Sequence, residues 1–175
     1  MAFKREFGLP KVTIIGGYEA HLVTDLLREH DVSVLIKRVI SLPRLAEDHL
    51  DAPFRLAKQL SDDGVKFAFQ MDGSMEPIQN RNLAFAAGVA ISNGLDREEA
   101  LKGLTLYPAE ILGIGDRTGS LEAGKEANLI VTEGDLFDIR TGKVHRVYFQ
   151  GELISIENRQ TELYRKYLRK YDLEE

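Results

Sequence analysis

Short apolar runs closed by glycine or charge alternate with stretches of helical spacing along the first two thirds of the chain. Val12 to Ile15 is the kind of run a buried parallel strand needs, and Gly16-Gly17 closes it. Tyr18 to His30 follows as a helix, with Leu22 and Leu26, and Val23 and Leu27, in register. Val32 to Ile36 reads as the next strand. A proline-containing loop from Ser41 to Pro53 leads to a helix carrying Phe54, Ala57 and Leu60 and stopped by Gly64. Val65 to Phe69 is a third strand, and Gln79 to Asn93 a third helix with Gly94 at its end. Three strand–helix units in succession predict parallel strands joined by right-handed crossovers.

The flanks read differently. Phe3 and Phe7 lie one helical turn apart and Gly8 and Pro10 end that turn. A start on the last turn of a helix is expected of a chain cut from something larger. Asp96 opens a helix over Arg97 to Gly103, with Glu99 placed to complete a capping box. In Leu104 to Glu133, Pro108 suits a first helical position, Ala109 to Leu112 supply one apolar turn, and Gly113 suits a left-handed stop. A glycine-containing loop then delivers Ala127 to Val131 as a strand. Val144 to Phe149 and Glu152 to Ile156 predict an antiparallel pair turning at Gln150-Gly151, and Thr141-Gly142-Lys143 makes a second turn. Asn158 to Tyr171 is a charged helix with Leu163, Tyr167 and Leu168 on one side. The expected core is Val12, Ile14, Val34, Ile36, Val65, Phe67, Leu129 and Val131.

Size and charge narrow this picture. A chain of 175 residues suits one domain or one and a half. Its 43% apolar and 29% charged residues are ordinary for a globular protein. A net charge of −5 argues against nucleic acid, which needs a basic face. Without cysteine there are neither disulfides nor thiolate metal ligands. The first residues lack the apolar segment of a signal peptide, and no apolar run approaches the ~20 residues of a membrane span, so a cytoplasmic protein is the default expectation.

The stretch T-x-x-P-A-x-x-L-G, Thr105 to Gly113, followed by G-S-L-x-x-G-K-x-A-x-L-I-V, Gly119 to Val131, resembles the amidohydrolase superfamily and its imidazolonepropionase-like members. There the chain leaves a (β/α)8 barrel and re-enters a small β-domain. The match departs mildly at Ala127-Asn128-Leu129, where most relatives have aspartate in the middle. A whole barrel needs about 250 residues. The resemblance therefore implies an α/β chain: the C-terminal part of a (β/α)8 barrel, about three strand–helix units over residues 1–118. Part of a small β-sandwich domain (119–156) and a C-terminal helix (157–175) would follow.

It also implies where chemistry sits. Asp72 follows the third strand, where relatives place an aspartate that helps hold a divalent metal and takes a proton from the attacking water. Met71 stands where many have threonine or serine, and a strand-end aspartate capping its own loop is the alternative reading. His21 is a candidate metal ligand, displaced by one turn from the end of the first strand; a helix-start histidine on a partly exposed face is the duller reading. Lys37 and Arg38 follow the second strand and could steer an acidic substrate group, although such residues also serve as solvated loop. His30, His49 and His145 read as surface residues. No His-x-His occurs, and one aspartate cannot hold a catalytic zinc, which takes three protein ligands as a rule.

The expectation is a portion of a metal-dependent hydrolase of C–N bonds in a cyclic amide or similar small molecule, inactive as an isolated chain. Zinc would belong to the complete architecture and not to this chain alone. A homo-oligomer or a complementary N-terminal chain would be the partner, because three parallel strands leave two open edges. Two other classes stay open: a non-catalytic self-associating protein, and an NADP-binding module. The latter would use Val12 to Ala20 as strand and turn and Lys37-Arg38 for the 2′-phosphate, although Gly-x-Gly-x-x-Gly is missing.

Overall fold

A computed structural model describes residues 2–37, 39–71 and 80–173 of the chain. Three parallel strands, β1 (Val12–Gly16), β2 (Val32–Lys37) and β3 (Phe67–Gln70), lie side by side in chain order. The strand positions match the apolar runs, except that Val65 precedes β3 and is buried there. Between and after the strands come α1 (Ala2–Glu6), α2 (Thr24–Glu29), α3 (Ala52–Asp62), α4 (Leu83–Ser92), α5 (Arg97–Leu104) and α6 (Leu106–Ile111). A second sheet, β4 (Leu129–Glu133), β5 (Lys143–Phe149) and β6 (Glu152–Ile154), is antiparallel, and α7 (Arg159–Lys170) closes the described chain. The fold is α/β, with the antiparallel sheet following the parallel unit.

Register decides which side chains form the core. Val34 is the Cα partner of both Ile14 and Phe67, and Ile36 that of Phe69, so these five share one face. Helices bring Leu56, Ala57 and Leu60 of α3, Ala86, Ala87 and Ala90 of α4, and Ala100 of α5 onto it. Val34 and Phe67 are fully excluded from solvent. Burying each such side chain contributes about 1.5–3 kcal/mol. Small residues on the helices let them approach closely: a Cβ on Gly103 would stand 2.9 Å from the Phe67 ring. Phe67 meets Phe69 edge-on at 5.6 Å and Tyr107 at 6.0 Å.

The opposite face carries Thr13, Ile15, Ser33, Leu35, Lys37, Ala68 and Gln70. Ile15 is 64% exposed, and neither it nor Leu35 joins the core cluster. Parallel sheets are ordinarily covered on both faces. Among the described residues this one is fully covered on one; on the other, Ser33 and Ala68 are buried while Ile15 is exposed.

Several expectations need correction. The helix expected from Tyr18 to His30 is a 3-10 turn, Ala20–Val23, followed by the short α2. Val23 breaks the run with φ −134°, ψ 26°, and of its four in-register residues only Leu27 is buried. Glu99 does not reach back to Asp96. Asp96 accepts from the Glu98 and Glu99 amides, while Glu99 accepts from Lys102 Nζ at 2.8 Å and Tyr107 Oη at 2.7 Å. Pro108 lies in the first turn of α6 but not first, whereas Gly113 is left-handed as expected, φ 75°. Val131 is 44% exposed, not core, because the three-stranded sheet has no second layer among the described residues. The α7 helix forms with an Asn158–Thr161 capping box, yet buries none of its residues.

The antiparallel unit is tied to the helices by Arg97, whose guanidinium grips both Asp135 oxygens at 2.9 and 2.6 Å and lies 4.8 Å over the Phe137 ring. Gly88 leaves room for that loop, since a Cβ there would stand 2.3 Å from the Phe137 carbonyl oxygen. Asn128, the departure noted in the motif, makes a join that aspartate could make only in part. Its Oδ1 accepts from Gln150 N at 3.0 Å, while its Nδ2 donates to Thr118 Oγ1 at 3.2 Å. Gln150 and Gly151, with φ 52° and 85°, turn β5 into β6.

Two predictions follow from these contacts. Gly113→Ala, at φ 75° in open space, should lose about 1–2 kcal/mol to backbone strain alone. Gly17→Ala, at φ 55° with Val34 Cγ1 2.6 Å from the new Cβ, should lose about 1–3 kcal/mol more through overpacking. Urea denaturation of both variants checks the order, and equal losses would refute the Gly17–Val34 contact. Burial and the bond to Glu99 push the Tyr107 hydroxyl up from 10.0 to about 12. With the folded pKa above the unfolded one, its stabilisation is complete below pH 10 and is lost as pH rises toward about 12. The melting temperature should therefore fall more steeply over that window in the wild type than in Tyr107→Phe.

Candidate functional site

Reactive groups in parallel α/β folds gather at the carboxyl ends of the strands. The chain leaves β1 through Gly16 and Gly17, φ 98° and 55°, a reversal that residues with side chains rarely adopt. Gly17 packs on Val34, and the Tyr18 ring lies over Gly16, 3.7 Å from where a Cβ would be. His21 lies in the 3-10 turn that follows, and Lys37 is the last residue of β2.

Together with the 43–48 loop and the start of α3, these residues line a partly open cavity of about 140 Å³. Among the described residues its walls are largely Leu22, Pro43, Leu45, Ala52, Pro53 and Leu56, and Glu19, His21, Lys37, Arg44 and Asp48 add charged and polar groups. Arg44 sits 5.6 Å over the Tyr18 ring, and the Asp48 carboxylate accepts from the Leu45 amide at 3.2 Å. His21 Nδ1 is screened from solvent and has no hydrogen-bond partner. Gln70, the register partner of Lys37 at the end of β3, likewise has a screened Nε2 without a partner.

Of the residues singled out from the sequence, His21 and Lys37 therefore line one cavity. His21 is half-buried, with one ring nitrogen turned away from water. Asp72 and Arg38 lie outside the described residues. His49 and His145 are surface groups, the latter 3.6 Å from Glu133. Sequence reasoning missed Tyr18, Arg44 and Gln70. Gln70 carried a usable signal, being two residues before Asp72 on a strand whose side chains alternate. Among the described residues no three His, Asp or Glu converge as metal ligands would. No described helix is long and apolar enough to cross a membrane.

The profile of the amidohydrolase family matches residues 6–154. An imidazolonepropionase from Thermoplasma volcanium is 29% identical over 135 residues, covering 73% of this chain and 33% of its own length. An N-substituted formamide deformylase from Arthrobacter pascens is 33% identical over 110 residues, covering 55% of this chain and 20% of its own. The crystal structure of an amidohydrolase from Thermotoga maritima superposes with a TM-score of 0.72 at 31% identity, covering 87% of this chain and 38% of that one. The chain belongs to the amidohydrolase family, on its imidazolonepropionase-like side. It spans about a third of the length of the imidazolonepropionases it matches most extensively.

Proposed function

We propose that the chain is a C-terminal portion of an amidohydrolase that cleaves a C–N bond in a cyclic amide or similar small molecule. The observation that carries this reading is the partly open face of the parallel sheet, where Ile15 is exposed, in a chain matched by the family profile over residues 6–154. Further barrel strands, from a complementary N-terminal portion, would cover Ile15 and Leu35 and pair with the edges of β1 and β3, which are unpaired among the described residues. Asp72 would take the proton from the attacking water, and Lys37 with Arg38 would draw an acidic substrate group to the mouth.

A fold neighbour from Xanthomonas campestris, 22% identical, is an adenosine deaminase with bound zinc. The described residues do not by themselves supply a ligand set for such an ion. Residues from elsewhere in a complete architecture would have to hold it. The NADP reading gains no support from the relatives, whose names are those of hydrolases and deaminases. Self-association remains the second reading, because the uncovered sheet face would serve a second copy as well as a complementary chain.

The test is hydrolysis of hydantoin, with bound zinc measured on the same size-fractionated samples. The monomeric fraction should show neither turnover nor tightly held zinc. Any assembled fraction that acquires both should lose both in Asp72→Asn. Undiminished turnover by an assembled Asp72→Asn fraction would overturn the assignment.

A further inference from the structure

Asn93 is the one asparagine of the chain followed by glycine; the other four, Asn80, Asn82, Asn128 and Asn158, precede arginine or leucine. An asparagine amide carbon is open to attack by the backbone nitrogen of the next residue. The new N–C bond closes a five-membered imide, the Cγ–Nδ2 bond breaks, and ammonia leaves with the proton of the attacking amide. Water then opens the imide at either carbonyl, giving aspartate or isoaspartate, the latter with one extra carbon in the backbone. A side chain on the second residue obstructs the attack, and glycine has none.

The fold holds this pair in a geometry that prevents ring closure. Asn93 follows the last residue of α4, and Gly94 turns the chain with φ 97°. Gly94 N donates to the Ile91 carbonyl at 2.9 Å and Leu95 N to the Ala90 carbonyl at 3.0 Å, the paired bonds of a left-handed helix stop. With ψ 19° at Asn93, the Gly94 nitrogen lies nearly eclipsed with the nitrogen of Asn93 and away from its side chain. Asn93 Nδ2 donates to the Val89 carbonyl at 2.8 Å, which ties the side chain back along the helix. The Lys58 stem of α3 lies against Gly94, its Cδ 3.1 Å from where a Cβ would be, and Leu95 is 3% exposed in the core. Turning the Gly94 nitrogen toward Asn93 Cγ breaks both helix-stop bonds and pulls on buried Leu95.

We infer that Asn93-Gly94 is a spontaneous deamidation site gated by the fold, silent while the end of α4 is closed and converted when it opens. Isoaspartate adds a carbon to this turn, so the converted chain does not restore the Gly94 and Leu95 bonds. Both products also place a carboxylate at the negative end of the α4 dipole. The inference is independent of the amidohydrolase reading.

The experiment incubates the full chain at mildly alkaline pH, folded in buffer and unfolded in guanidinium chloride, and follows amide-to-acid conversion by peptide mapping with mass spectrometry. Asn93 should lead the other asparagines in the unfolded chain and convert at least tenfold more slowly in the folded one. Leu95→Ala, which removes the buried anchor of the turn, should raise the folded-state rate several-fold and leave the unfolded-state rate unchanged. If that variant fails to fold, the wild-type ratio still decides. The isoaspartate form, isolated and returned to buffer, should melt below Asn93→Asp, which gains the charge without the extra carbon. Equal conversion of Asn93 in the two states would overturn the gating, and another asparagine leading in the unfolded chain would overturn the site. Equal melting of the isoaspartate form and Asn93→Asp would overturn the claim that conversion breaks the turn.

Discussion

Val34 and Phe67 are register partners on neighbouring strands, both fully excluded from water, and the helices assemble around them. Ile14 extends the row on β1. Gly17 is forced by the Val34 methyl, and Gly103 by the Phe67 and Phe69 rings. The turn that starts the candidate site and the packing of α5 on the sheet therefore depend on one apolar seam. An interior packed this closely tolerates little change of volume, so its constraints reach as far as the loop holding His21.

The same sheet is asymmetric. Its helix-facing side is an alanine- and leucine-lined core, while on the other side Ser33 and Ala68 are buried but Ile15 is exposed and Thr13, Leu35 and Gln70 are half-buried. Two features common in complete α/β proteins, coverage of both faces and paired edges, are thus missing from the described part. The antiparallel sheet shows a related feature: Ile130, Phe149 and Leu153 are exposed. Both observations are physical reasons to expect more protein against this chain, whether the rest of an amidohydrolase or another copy.

Much of the fold was legible because strands and glycines announce themselves. Val12 to Ile15, Val32 to Ile36 and Val65 to Phe69 are apolar runs bounded by turn residues, and all three lead to parallel strands. The Leu22, Val23, Leu26 and Leu27 spacing was read too generously. Periodicity could not reveal the backbone break at Val23, which leaves only Leu27 directed into the core. Val131 misled because an apolar strand is buried only where a second layer meets it. At the candidate site, His21 and Lys37 were found from their places after strands. Tyr18 and Arg44 were not, because their roles come from a loop folding back over the strand ends, and such closure has no periodic signature. Asp72 and Arg38 lie outside the described residues; the first stands on the family resemblance, the second on its place after the second strand.

Native-state hydrogen exchange tests the dependence on the Val34–Phe67 seam most directly. Amides of β2, paired on both sides and at the centre of the core, should exchange most slowly, at the rate set by global unfolding, ahead of the antiparallel β4–β6 amides. Exchange in β4–β6 slower than in β2 would contradict the account, since it would place the most stable unit of the chain outside the parallel sheet.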